Sequence, residues 1–229
     1  MNKLVRWLVV GAVPAAFAAA TWVVPLNHQD WQGLCTGGTS CPGSMFSNDS
    51  NGNFTFQFPV YNDPVPCNSD NCPSVNYVYT PSGNGWPQRP AKSVAEYSTL
   101  SMTMAVKALS GSPQFFYQTD TNNTCAYTAH VRLFMWQWLD ASTGGDRWWS
   151  NPIAYELAPG TTTLTVQLSP TEWSNVNGQF GTADPRGFSD ALNHLHYVGM
   201  TFGGGCFYGH GVSVNGGTAE FVLSNVTFQ

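Results

Sequence analysis

The sequence has few charged side chains and, beyond its first twenty residues, no long apolar run. Only 9% of its 229 residues are charged, and 13 acidic against 8 basic side chains give a formal net charge of −5. A negative chain with so few cations is a poor match for nucleic acid or an anionic membrane, so we expect neither as a partner. After residue 20 no segment approaches the roughly 18 consecutive apolar residues of a membrane-spanning helix.

The beginning of the chain has the pattern of a secretory signal. Lys3 and Arg6 provide a basic start, the residues up to Ala20 are almost all apolar, and small residues at 16–20 offer cleavage sites. A membrane anchor is the alternative, but Pro14 interrupts the apolar run and the alanines at its end favour cleavage. We therefore predict a signal peptide over 1–20 and a secreted or periplasmic protein.

The cysteines lack the Cys-x-x-Cys spacing of a zinc site, and their number is even. Even numbers of cysteines in exported chains favour disulfides. Two pairs bracket short loops and the third pair would be long-range, one of the 15 connectivities that six cysteines allow. The predicted pairs are Cys35 with Cys41, Cys67 with Cys72, and Cys125 with Cys206.

The rest of the chain is rich in turn-forming residues and in short alternating segments. It contains 23 Gly and 15 Pro, and segments such as 54–58, 100–106 and 164–168 alternate apolar and polar residues. Strands at this spacing predict one antiparallel β-sandwich over 21–229, with a loop-rich, disulfide-tied part at 21–92 and a regular part at 93–229. Short helices are expected only around 170–176 and 186–193.

One strand, residues 129–139, has two unlike faces. Its aliphatic face, interrupted by Gln137, predicts sandwich core. Aromatic rings interleaved with hydrogen-bonding side chains on the other face suit a sugar, which offers a flat C–H face and hydroxyl groups. The alternative is that this second face is also buried. The aliphatic residues are Ala129, Val131, Leu133, Met135 and Leu139, and the others are His130, Arg132, Phe134, Trp136 and Trp138.

Further candidate ligand contacts lie at Trp148 and in the segment 203–211. Trp148 and Trp149 are adjacent, so on a strand one points to the core and the other away from it. The segment 203–211 contains five glycines, and Tyr208 and His210 share one face of it if it is extended. Its alternative role is a bend that seats a disulfide at Cys206.

Signals for catalysis and for metal binding are weak. A glycoside hydrolase needs two carboxyl groups roughly 5–9 Å apart, for which Glu156 and Glu220 are candidates, although surface solvation is the better explanation for each. His194 and His196 share a strand face and could chelate a metal, yet isolated histidine pairs are more often exposed surface residues. We expect no metal, and catalysis stays an alternative to binding.

Three segments carry a resemblance to a known family: 168–178 at a strand exit, 198–202 within a strand, and 217–223 as the last strand. From about Ser93 onward the chain resembles the galactose-binding-like jelly rolls of bacterial carbohydrate-binding modules. The resemblance implies a jelly-roll fold, sugar binding and often a structural calcium ion. No dense Asp/Asn cluster marks a calcium loop here, so calcium is the single cofactor left open.

Together these patterns predict a secreted carbohydrate-binding protein of β-sandwich fold, whose ligand is a carbohydrate or polysaccharide. Two alternatives remain. One is a polysaccharide-degrading enzyme, a glycoside hydrolase or lyase, of the same fold. The other is a structural or surface-interaction protein whose aromatic face is an interface.

Overall fold

The computed structural model describes residues 20–62, 73–81, 93–117, 128–137, 147–204 and 209–229. These ranges contain strands, one α-helix and three short 3₁₀ turns. None of their helices is long and apolar enough to cross a membrane. The strands are β1 (Trp22–Val23), β2 (Gln32–Cys35), β3 (Phe46–Asn48), β4 (Phe54–Gln57), β5 (Val75–Pro81), β6 (Thr99–Tyr117), β7 (His130–Trp136), β8 (Arg147–Ser150), β9 (Tyr155–Glu156), β10 (Gly160–Gln167), β11 (Trp173–Asn175), β12 (Tyr197–Gly203) and β13 (Val212–Phe228), and the helix is α1 (Pro185–Asn193).

The strands form one continuous antiparallel sheet that folds into two layers. Its order is β10-β6-β13-β5-β12-β7-β8-β11. The first layer contains β10, β6, β13, β4, β3 and β1, and the second contains β2, β5, β12, β7, β8, β9 and β11. The layers meet along the sheet at the pairing of Val212 with Val75. They also pack face to face, because Phe202 of β12 contacts Phe56 and Phe221, which lie on strands that do not pair with β12.

Alternation along the strands fills the space between the layers. In β6, Leu100, Met102 and Met104 are buried in the core, whereas Thr103 between them points away and bonds to a hydroxyl of β10. The aromatic residues of β4 follow the same period of two. The hydrophobic pattern of the sequence therefore sets the register, since a slip of one residue would reverse the two faces.

Strands β6 and β13 pair irregularly around Gly216. The register shifts between Asn215 and Gly217 and again at Thr218. Gly111 and Gly216 both have positive φ, and a Cβ at Gly111 would overlap the carbonyl oxygen of Gly216. Bulges of this kind bend and twist a strand pair, and here only glycine fits.

The predicted antiparallel β-sandwich with a disulfide-tied N-terminal segment is confirmed. Cys35 and Cys41 are joined, with their Cα atoms 5.0 Å apart. The other four cysteines, Cys67, Cys72, Cys125 and Cys206, lie outside the described residues, as does the signal segment up to residue 19.

Of the two expected helices, one is present and one is not. Helix α1 covers 186–193. The prediction of a helix around 170–176 is wrong, because this segment is a turn followed by β11, in which Trp173 is buried and pairs with Ser150. Burial of one large ring against the core decides the local structure there.

Candidate functional site

The two unlike faces of β7 are both present in the folded chain. Val131, Leu133 and Met135 are fully buried in the core between the layers. The intervening residues point to the outer side of the second layer. They lie beside residues of β5, β12 and β8 that share this orientation, so that the sheet gathers them into one surface.

We call this surface the aromatic face. The register arranges it in three rows across the strands. Each row includes one residue of β7, at positions 132, 134 and 136. The face comprises Tyr77, Thr201 and Arg132 in the first row, Tyr79, Gly199, Phe134 and Trp149 in the second, and Tyr197, Trp136 and Arg147 in the third.

The rings of the aromatic face contact one another. Tyr197 lies 5.1 Å from Trp136 and 5.1 Å from Tyr79, measured between ring centroids. Phe134 lies 5.1 Å from Tyr77 and 5.6 Å from Trp149. Such offset and edge-on pairs stabilise a cluster beyond its buried area, by about 0.5–1.5 kcal/mol each.

Gly199 lies within the aromatic face, on β12 between Tyr79 and Phe134. A Cβ there would overlap the carbonyl oxygen of Val78 and lie 2.6 Å from the Cα of Tyr79. These are backbone atoms of a paired strand, which cannot move aside cheaply. Glycine at this position therefore permits the close approach of β12 and β5 beneath the rings.

Most of the aromatic face is buried. Phe134 is 1% exposed and Trp149 and Tyr197 are nearly as hidden, whereas Trp136 and Arg147 in the third row and Tyr77 in the first are half-buried. The alternative that the second face of β7 is also buried therefore holds for Phe134. In the third row, Trp136 and Arg147 lie opposite each other on neighbouring strands.

Arg132 is held by neutral oxygen atoms. It is 8% exposed, and its Nη1 donates to the carbonyl oxygen of Ser150 (3.1 Å) and to Oδ1 of Asn151 (3.3 Å). The amide of Asn151 in turn donates to Oγ of Ser174 (3.1 Å). This chain of hydrogen bonds fixes the guanidinium and ties β7 to β8 and β11.

His130 lies at the opposite end of β7 from Trp136. Its ring nitrogen Nδ1 lies 2.6 Å from the carbonyl oxygen of Thr128, and its cross-strand neighbour is Glu156. Six residues separate His130 from Trp136, which is about 20 Å along a strand. A single sugar ring cannot contact both residues.

Trp148, a predicted ligand contact, lies in the core, and its neighbour Trp149 lies on the aromatic face. Trp148 is 0% exposed and packs in the core, 5.1 Å from the ring of Phe188 on α1. Trp149 pairs with Phe134 and lies on the aromatic face. Alternation showed that the two tryptophans take opposite sides, and the register with β7 decides which side each takes.

The glycine-rich segment reaches the aromatic face near Tyr77. A Cβ at Gly209, whose φ is +73°, would overlap the Tyr77 hydroxyl, and one at Gly211 would overlap the Ser74 side chain. The chain therefore passes close to the start of β5 and carries His210 there, half-buried. Tyr208 and Trp138 lie outside the described residues.

The two candidate catalytic carboxylates are not brought together. Glu220 is on the outer side of the first layer, where it forms an ion pair of 3.2 Å with Lys107. Glu156 is beside His130 on the second layer. The two lie on opposite outer surfaces of the sandwich, so they cannot flank one glycosidic bond.

The tyrosines of the aromatic face are kept neutral. Burial raises the pKa of Tyr197 and of Tyr79. Burial also raises the pKa of Tyr77, an effect opposed by the charge of Arg147 and by a hydrogen bond with Thr201. At neutral pH these hydroxyls can donate as well as accept hydrogen bonds.

No group of three or more His, Cys, Asp or Glu side chains gathers to hold a metal within the described ranges. Of the two histidines considered as a chelating pair, His194 is exposed and its Nδ1 lies 3.2 Å from the carbonyl oxygen of Asp190. Burial, and to a lesser degree the charge of His194, lowers the pKa of His196.

Comparisons with known proteins give a weak signal. No family model matches the sequence, and no curated protein matches it. Solved structures with a similar arrangement include the endoglucanase Cel12A of Rhodothermus marinus and a meso-active thermostable cellulase derived from it by mutation. Each is 13% identical, with 92% of this chain and 99% of that chain covered and a TM-score of 0.33. A TM-score this low supports no conclusion about activity.

Proposed function

We propose that the protein binds carbohydrate through the third row of the aromatic face. The observation that carries the proposal is the half-buried ring of Trp136, supported on one side by Tyr197 and flanked on the other strand by Arg147. The ring offers a flat apolar surface for the C–H face of a sugar. The guanidinium supplies hydrogen-bond donors for its oxygen atoms.

The surrounding burial supports this role. Phe134 and Tyr79 pack around Trp136 and Tyr197, so the ring is already ordered before a ligand arrives. Pre-ordered side chains lose little entropy on binding, although a site built on a half-buried ring yields only modest affinity. Because the beginning of the chain predicts export, we propose that binding takes place outside the cytoplasm.

Affinity electrophoresis in gels containing single polysaccharides tests the proposal. The expected result is retardation by at least one polymer. For Trp136→Ala the dissociation constant should be roughly ten times larger than for the unmodified protein, as for loss of a central aromatic contact. The matched control is Trp22→Ala, which removes a half-buried tryptophan that stacks on Phe228 in the other layer, 5.1 Å away.

The outcomes separate the candidate functions. Retardation lost in Trp136→Ala but kept in Trp22→Ala supports binding at the aromatic face. Absence of retardation by any neutral or charged polymer refutes it. Release of new reducing ends during incubation would instead establish an enzyme, and its loss in Glu156→Gln would identify the carboxylate.

A further inference from the structure

Arg147 differs from the other exposed cations of the described ranges. Lys107 pairs with Glu220 at 3.2 Å, and Arg186 lies 3.9 Å from Asp190. No carboxylate of the described ranges forms an ion pair with Arg147. Its guanidinium is half-buried in the third row of the aromatic face, where partial desolvation makes a counter-anion more valuable than at an open surface.

Of the described carboxylates near β8, Asp184 lies beyond Asn175 of β11, on the side of the sheet opposite the aromatic face, where it caps α1. Three others are distant from Arg147. Strand geometry places Glu172 about 14 Å from Arg147, at four residues along and one strand across. Asp30 is four strands away, about 19 Å, and Glu156 is six residues along, about 20 Å. All three distances exceed the Debye length of about 8 Å at physiological salt. The positive charge of Arg147 is therefore not neutralised by them.

The row combines this charge with an aromatic ring. Arg147 lies directly opposite Trp136, so their Cβ atoms are about 5 Å apart. Its charge also acts on the hydroxyl group of Tyr77 in the first row. A planar guanidinium accepts a carboxylate in two parallel hydrogen bonds, and the indole accepts the C–H face of a pyranose. One chemical unit carries both features: a sugar with a carboxylate on its ring.

We propose that the aromatic face selects acidic sugars of the uronic acid class, with the carboxylate on Arg147 and the pyranose ring on Trp136. This inference rests on the proposed carbohydrate-binding function and names its ligand class. The whole chain has a net charge of −5, so bulk electrostatics disfavour polyanions. A preference for a polyuronate must therefore arise from a local cationic contact.

Matched polymers isolate the carboxylate. Polygalacturonate, alginate and hyaluronate are each compared with their carboxyl-esterified forms, which keep the sugar backbone and lose the charge. Dextran sulfate against dextran distinguishes a sulfate ester from a carboxylate. The full chain is titrated by isothermal calorimetry at two ionic strengths. We expect at least one free-acid polymer to bind about 10- to 100-fold more tightly than its ester, and more weakly at high salt.

Three variants assign the effect. Arg147→Gln removes the charge and should abolish the preference for the free acid. Arg147→Lys keeps the charge but lacks the planar guanidinium, and it should retain part of the preference for the free acid. Arg186→Gln removes the same charge from helix α1, where the side chain is 94% exposed, and should change nothing. If Arg147→Gln fails to fold by circular dichroism, the reduced preference of Arg147→Lys decides the question.

Each alternative result has one meaning. Equal binding of acid and ester forms overturns the uronate proposal and leaves carbohydrate binding in place. Preference for dextran sulfate alone also overturns it. If the preference for the free acid persists in Arg147→Gln, Arg147 does not bind the carboxylate and the proposal is overturned. Failure to bind any of these polymers or any neutral polysaccharide overturns the proposed function itself.

Discussion

Replacement of Phe202 by alanine tests the two-layer arrangement directly. Phe202 is fully buried on β12 and lies 5.5–5.8 Å from the rings of Phe56, Phe58 and Phe221, all in the opposite layer or next to it. Those neighbours are held by paired strands and cannot collapse into the vacated space. Phe202→Ala should therefore leave a cavity at the centre of the core.

The expected loss in free energy of unfolding is large. Removal of a buried phenylalanine side chain costs about 3–5 kcal/mol, from lost transfer free energy and the residual cavity. In a domain of roughly 200 residues each kcal/mol lowers Tm by about 2–4 °C, so the melting temperature should fall by about 6–20 °C. Equilibrium urea unfolding followed by circular dichroism measures the free energy of unfolding, and the m-value should stay unchanged.

A double-mutant cycle with Phe221→Ala sharpens the test. The two rings meet edge to face at 89°, so their coupling energy should be about 0.5–1.5 kcal/mol. Leu109→Ala, at a largely exposed position, is the control and should stay within about 0.5 kcal/mol of the parent. A cost below about 1 kcal/mol for Phe202→Ala, or zero coupling, would refute the packing of the layers against each other.

Three further changes have defined outcomes. Cys35→Ser with Cys41→Ser should lower the free energy of unfolding by about 2 kcal/mol, since the bond closes a short loop, as urea unfolding would show. Asp184→Ala removes the side chain that caps α1 and should cost about 1 kcal/mol in the same assay. The pKa of His196 is lowered in the folded state by burial and by His194, so the unfolded chain binds the proton first as pH falls. Stability should therefore decrease as pH falls from about 6.5 towards the folded-state pKa, measured as the urea midpoint between pH 7.5 and 5.

Each of these has a control and a contradicting result. Ser40→Ala, within the bridged loop, should leave the urea midpoint unchanged, and equal stability with and without the bond would contradict a stabilising disulfide. Asp190→Ala removes only an exposed pair with Arg186 and should cost almost nothing. His196→Gln should flatten the pH dependence below 6.5, and an unaltered slope would show that another group is responsible.

The strand pattern of the sequence predicts much of the fold because alternation and burial coincide. The period of two in 54–58 and 100–106 corresponds to β4 and β6 with the expected faces inward. The segment 170–176 departs from expectation, since its local composition favours a helix turn whereas Trp173 is needed to fill the core. Long-range packing of this kind has no signature in a short window of sequence.

The candidate site is predictable in part. The opposite directions of Trp148 and Trp149 follow from strand geometry alone, but the choice between them depends on pairing with β7, a contact across 13 or more residues. Likewise, alternation groups Arg132, Phe134 and Trp136 on one face without indicating how deeply each is covered. Exposure depends on the whole sheet and on what packs over it, which no local pattern contains.

Burial of most of the aromatic face changes the kind of site that it can form. A strand whose two faces are largely covered does not present a ladder of exposed rings, so the carbohydrate-binding function proposed above assigns only Trp136 of β7 to the ligand. Phe134 and Tyr197 then act by holding that ring in place, which lowers the entropy lost on binding. In the proposed site Trp136 is the stacking ring, so discrimination between sugars comes from the polar group beside it. In the third row that group is Arg147, so in the proposed site specificity and affinity come from neighbouring residues of two paired strands.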